Sequence, residues 1–184
     1  GTALPTTIPF GLRYGPFMNV GDVMANKNGE VNFPVNAKFP VSMAEEVMRA
    51  LAAFLEENKP ILEKHEIRVG CNQLLTGHFW GPEPVIFWRR PLSAYRRHFA
   101  TPEVLERQRH IEENAERTAA AIDLRHRMAR MFRGMGSLHL QWGKGYPYAE
   151  ALEGSTAWEV LVKLKDAVDP QHTINPGLLG LGGP

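Results

Sequence analysis

The sequence predicts an α+β domain of the ferredoxin-like type, β-α-β-β-α-β with an antiparallel sheet and its helices on one face, followed by a C-terminal helix and tail. Three observations lead there. Val31, Phe33, Val35, Ala37 and Phe39 alternate with mostly polar residues across GEVNFPVNAKFPV, the period that sets apolar side chains on one face of a strand. SMAEEVMRALAAFLEEN and the stretch from Thr101 to Phe132 repeat apolar residues at three and four, as amphipathic helices do. Between those helices stand two consecutive strand-like runs, HEIRVGCNQLL and VIFW, which completes the split βαβ order.

Residues 1–29 read as an extended arm, because proline and glycine repeatedly interrupt Ile8, Phe10, Leu12, Tyr14, Phe17 and Met18. Such an arm is expected to lie along a covered surface, and the absence of an initiator methionine suggests a chain that begins inside a larger protein. The domain proper, residues 30–184, begins with the alternating strand, which Pro34 and Pro40 place at an edge or interrupt. Ser42 and Glu45 have capping-box spacing ahead of a helix with Ala44, Val47, Met48, Leu51, Phe54 and Leu55 on one stripe, ended or interrupted by Pro60. Ile67, Val69 and Cys71 share a face of the second strand; TGHFWGPEP reads as a turn-rich loop and VIFW as the third strand.

Thr101, Pro102 and Glu103 then supply an N-cap, a first-turn proline and a first-turn acid. One long helix is expected, its buried stripe running through Val104, Leu105, Gln108, Ile111, Ala115, Ala119, Ile122, His126, Ala129 and Phe132, with Gly134 and Gly136 stopping it. SLHLQW resumes alternation as a fourth strand, and STAWEVLVKLKDAV forms a last helix with Trp158, Leu161, Leu164 and Val168 inward. The second sheet face then needs a ligand, a partner subunit or another domain to cover it.

At 184 residues and 43% apolar, the chain suits one domain with a proper core. Its 21 basic and 20 acidic residues leave a net charge of +1, which gives no general reason to expect nucleic acid or an anionic membrane as partner. No apolar run approaches the ~20 residues a spanning helix needs. Cys71 is the sole cysteine, which excludes an internal disulfide and fits a reducing compartment, so a cytoplasmic location is expected. No metal site is expected: the histidines lack H-x-x-x-H or H-E-x-x-H spacing, and His110 and His126 stand too far apart on a helix to share an ion.

Two stretches carry chemistry. LKDAVDPQHTINPGLLGL ends a helix at Asp169-Pro170 and makes a tight turn of Asn175, Pro176 and Gly177. GSLHLQWGKGYPYAEAL sets a lysine between glycines, with His139, Trp142, Tyr146 and Tyr148 around it. Together they resemble the C-terminal cap or substrate domain of the FAD-linked oxidases of the vanillyl-alcohol oxidase and p-cresol methylhydroxylase superfamily, in which a terminal helix precedes a DP…NPG stretch and a glycine-bearing strand stands one helix upstream. The glycolate oxidase and D-lactate dehydrogenase branch carries Glu-His-Gly where this chain has Gln141, Trp142 and Gly143, so that branch's acid and histidine are missing. The aldonolactone and alditol oxidases carry His-Trp-Gly-Lys there, and QWGK keeps the last three residues.

The resemblance implies oxidation of an alcohol, hydroxy acid or phenol by hydride transfer to flavin, assisted by removal of a proton. It implies Lys144 beside the flavin or substrate, Gln141 and Trp142 shaping the wall, and Asn175, Pro176 and Gly177 approaching the cofactor. FAD and a small-molecule substrate are the implied ligands. No G-x-G-x-x-G-type segment opens a helix, so the FAD-binding domain or subunit is expected outside this chain.

Beside the resemblance, Lys144 also reads as a solvated lysine on a turn. His139 and Tyr146 are the next candidate catalytic groups; His139 shares a polar row with Ser137 and Gln141, as a general base or as a satisfied structural histidine. Arg89 and Arg90, with Arg96 and Arg97, either grip an acidic substrate or pair with the following glutamate-rich helix. His78 sits either on a substrate loop or at a packed hairpin end. The rival reading is a freestanding ferredoxin-like module that binds a ligand or protein on its open sheet without catalysis.

Overall fold

A computed structural model describes residues 29–137, 139 and 145–182. The expected arm, apart from Gly29, the expected fourth strand, apart from Ser137 and His139, and Gln141, Trp142 and Lys144 lie outside the described residues. The architecture is α+β, with four antiparallel strands and seven α-helices among the described residues. Strands β1 (Glu30–Pro34) and β2 (Phe39–Pro40) lead through a 3-10 turn (Val41–Met43) into α1 (Ala44–Glu57) and α2 (Lys59–Lys64). The hairpin β3 (Arg68–Thr76) and β4 (Phe79–Arg89) follows, then α3 (Ala94–Phe99), α4 (Pro102–Gln108), α5 (Ala115–Gly134), α6 (Tyr148–Leu152) and α7 (Thr156–Val168).

β4 is the centre of the sheet. β3 pairs along one side, from Arg68 opposite Phe87 to Thr76 opposite Phe79, and β1 and β2 pair collinearly along the other. Val31, Val35, Ala37 and Phe39 are buried as the alternation predicts, and meet Ile86 and Trp88 of β4. Val47 and Leu51 of α1 and Ala121, Leu124, Met128 and Phe132 of α5 close the core from the same side. Both major helices therefore cover one sheet face.

The segment FWGPEP is strand where the sequence suggests a loop. Val35 and Ala37 donate to the carbonyls of Pro84 and Pro82 at 2.8 and 3.1 Å. A residue's N–H and C=O point to the same side of a strand, so the donors missing from both prolines face this side. The ladder to β3 is intact, and the opposing column splits into β1 and β2 where half of its partners are gone. The prolines sit in a central strand because one interrupted neighbour absorbs both.

The expected long helix is two. α4 ends at Gln108, and Asn114 restarts the chain as the N-cap of α5, its side chain accepting from Arg117 N–H at 2.8 Å. The intervening residues reset the helical phase. Val104, Gln108, Ala129 and Phe132 are buried as expected, but Ala121, Leu124 and Met128 join the last two on the inner side of α5, with Ala115 and Ala119 exposed. Ser42 lies in the 3-10 turn and caps nothing. In α7, Leu164 and Val168 face outward at 55% and 65% exposure, while Trp158, Leu161 and Lys165 form the half-buried side.

Candidate active-site cluster around His139

The site grows from a backbone edge that lacks a strand partner among the described residues. Because Val35 and Ala37 point their amides at β4, Asn36 points its own to the opposite side. Its N–H donates to the Tyr146 hydroxyl at 3.2 Å, and that hydroxyl donates onward to the Pro34 carbonyl at 3.4 Å. Its carbonyl lies 2.7 Å from His139 Nδ1. Two residues on, Lys38 N–H donates to Ser137 Oγ at 3.1 Å. Three side chains thus stand in for the backbone of a neighbouring strand.

A carbonyl only accepts, so Nδ1 of His139 carries the hydrogen and the neutral ring keeps its lone pair on Nε2. Nε2 is buried and has no hydrogen-bond partner among the described residues. Burial is the largest cause holding the imidazole below its ordinary value; the Asn36 carbonyl opposes it, and Arg133 and Arg125 add to the lowering. The ring stacks on Tyr146 with centroids 4.4 Å apart and a 34° tilt, and meets Tyr148 edge-on at 6.4 Å. Tyr146 is 5% exposed, and burial pushes its phenol upward. Its hydroxyl is committed to backbone on both sides, which suits positioning better than proton transfer.

Arg125 of α5 lies over the rings of Tyr146 and Phe33 at 5.2 and 5.0 Å. A Cβ at position 145 would fall 1.7 Å from Arg125 Nη1, so Gly145 is what lets the guanidinium reach the tyrosine. A small cavity of about 140 Å³, lined by His126, Arg130, Tyr146 and Glu150, opens on the α5 side of this cluster.

The expected cofactor-approaching turn is built from the end of α7. Asn175, Pro176, Gly177 and Leu178 form a type II turn: Leu178 N–H donates to the Asn175 carbonyl at 3.1 Å, with proline first and Gly177 at φ 76°, ψ 2° second. Asp169 anchors it. Its carboxylate accepts from Lys165 Nζ at 2.5 Å, from Thr173 N–H at 2.9 Å and Oγ1 at 3.2 Å, and from Ile174 N–H at 2.9 Å. Asn175 and Pro176 are left exposed at the tip.

The remaining candidates lie apart. His78 is exposed at the two-residue turn between β3 and β4, whereas Arg89 ends β4 and Arg90 follows it, roughly 33 Å away along a ten-residue rise. Arg90 pairs with Glu113 at 3.1 Å, the second of the two readings its sequence context allowed. Arg89 borders a cavity of about 560 Å³ with Arg107, His110 and Arg117. Sequence reasoning missed Asn36, Arg125 and the anchoring role of Asp169. Asn36 had one signal, a polar residue next to two strand-breaking prolines in the segment whose partners must come from elsewhere.

Among the described residues no group of histidine, cysteine, aspartate or glutamate could hold a metal ion, and no helix is long and apolar enough to cross a membrane. No protein-family model and no curated protein matches the sequence. Among solved structures the chain is similar to a 4-ethylphenol oxidase from Gulosibacter chungangensis, solved with isoeugenol, at 15% identity over 84% of this chain, with a TM-score of 0.48. It spans 25% of that oxidase's chain. At that identity and score the likeness concerns the fold and carries no functional inference.

Proposed function

We propose that this chain is the C-terminal, substrate-binding cap of an FAD-dependent oxidoreductase that oxidises an alcohol, hydroxy acid or phenol, the FAD-binding domain lying outside residues 1–184. The supporting observation is the state of His139, two residues before QWGK. Its Nδ1 is bonded to Asn36, and its buried Nε2 is an unspent acceptor among the described residues. An orphaned buried nitrogen calls for a ligand, and a neutral imidazole beside the stretch that resembles the family's site is suited to take a proton from a substrate hydroxyl.

FAD, held by the other domain, would supply the acceptor for the hydride. His139 then accepts the hydroxyl proton at Nε2, Tyr146 and Asn36 hold the ring in one tautomer, and Lys144 stabilises developing negative charge. Gln141 and Trp142 would contribute to the substrate wall, and the turn at 175–177 would lie toward the cofactor, as the resemblance implies. Arg89 and Arg90 lie too far from His78 for all three to serve one small substrate, and His78, on its exposed turn, is the distal contact.

The test is the visible spectrum of the protein taken gently from its native source, recorded with the denatured chain mass. Flavin bands with a longer chain or a co-purifying FAD-domain subunit support the reading. A colourless protein whose sole chain is the 184-residue one overturns it in favour of the freestanding module. In the assembled enzyme, Lys144→Ala and His139→Gln are expected to lose turnover by a hundredfold or so while retaining assembly. Because burial lowers the His139 pKa, wild-type turnover should hold below the ordinary imidazole value of about 6.5 and fall only at more acid pH.

A further inference from the structure

We infer that β3 is a self-association edge, on which a second copy of this chain pairs antiparallel about a two-fold axis through Asn72. The observations concern one strand. The β4 amides facing β1 and β2 belong to even-numbered residues, so the odd-numbered ones serve β3, whose even-numbered residues answer them. The N–H and C=O groups of Val69, Cys71, Gln73 and Leu75 therefore point away from the sheet, and no described residue bonds them. Every residue from Gly70 to Leu75 is exposed.

Natural edges are usually blunted by lysine, proline, an inward charge or a bulge. From Val69 to Thr76 this one has no charged residue and no proline, and its register with β4 runs unbroken. Two large apolar side chains, Leu74 at 51% and Leu75 at 68% exposure, stand on its two faces.

The occupant follows from how the strand matches itself. With Asn72 on the axis, the outward-bonding pairs are Cys71 with Gln73 and Val69 with Leu75 of the second copy, so all the outward groups find partners. On the helix-covered face Leu75 meets Val69. On the open face Leu74 comes opposite Gly70, where a Cβ would be 3.5 Å from the ring of Phe87, so the leucine is brought beside a half-buried ring that Arg68 overlies at 5.4 Å. Arg68 falls opposite Thr76, and no like charges meet. Shifting the axis to Cys71 or Gln73 loses the Val69–Leu75 and Gly70–Leu74 matches together. An antiparallel edge is identical to itself under a two-fold rotation, the commonest symmetry of homo-oligomers.

The test is light scattering on the purified chain over a wide concentration range, expected to give twice the 20.7 kDa chain mass. Gln73→Pro removes an outward N–H and keeps the backbone ladder to β4, though it also removes the side-chain acceptor that Trp80 Nε1–H uses at 3.2 Å, and should give a folded monomer. In a Cys71→Ser background, Asn72→Cys should cross-link two copies on mild oxidation, since directly opposed non-hydrogen-bonded residues sit at disulfide distance; Leu74→Cys should not. A monomer at every concentration overturns the inference, as does a dimer that survives folded Gln73→Pro. Should that variant not fold, the cross-links decide, and a Leu74 link without an Asn72 link overturns it. The outcome is independent of the flavin reading.

Discussion

Asp169 is 4% exposed and spends both carboxylate oxygens on the chain that follows it. Lys165 is the largest cause holding its carboxyl well below the usual range, and the Ile174 and Thr173 amides add to it against the cost of burial. A folded value depressed below the unfolded one contributes stability that is fully present above the unfolded value, near 4, and lost as pH falls through the folded one. The amide resonances of Thr173 and Ile174 should therefore stay native-like at pH 3, and in Asp169→Asn should shift toward random-coil positions at neutral pH. Unchanged resonances in the variant would show that the turn holds itself. DP marked a helix stop in the sequence; that the same aspartate bonds four and five residues ahead was not legible, because it depends on His172 adopting φ 51° to bring the chain back.

At the scale of elements, α7 shows how a helix can be right in place and wrong in face. No residue of α7 is buried, so its ends matter more than its packing. Ser155 caps it, accepting from Trp158 N–H at 3.2 Å. Ser155→Ala should cost about 1 kcal/mol, seen as faster amide exchange in the first turns of α7 and hardly at all in core strands. Loss of protection in β4 as well would mean that α7 and the sheet open together. Its apolar pattern suits two stripes, and the anchor between Lys165 and Asp169 selects the one that turns Leu164 and Val168 outward. The break before α5 was more legible: Asn114 followed by Glu116 is an N-cap signal that apolar periodicity overrode. The first half of β4 was hidden because proline reads as a turn unless its neighbours are known.

At the scale of the whole molecule, the main core among the described residues lies between a sheet and two helices, beside a small satellite of Leu92 and Val104, with Trp88 fully buried on the central strand and edge-on to Phe33 at 5.0 Å. Trp88→Ala should destabilise by about 3–5 kcal/mol in denaturant unfolding, because the cavity lies against strands and helices together and cannot collapse from one side. A cost under about 1 kcal/mol would place the stabilising core elsewhere. The sequence by itself determined the class of fold, the strand alternation, the two principal helices and the NPG turn, since all of these are local periods or dihedral preferences written within a few residues. Tertiary structure alone decided that His139 and Tyr146 meet at the Asn36 backbone, 103 and 110 residues away, and which face of α7 turns inward. It also separated His78 from Arg89 along β4. Those outcomes turn on which backbone groups are left unpaired once the sheet has formed, and a linear pattern of side chains does not record them.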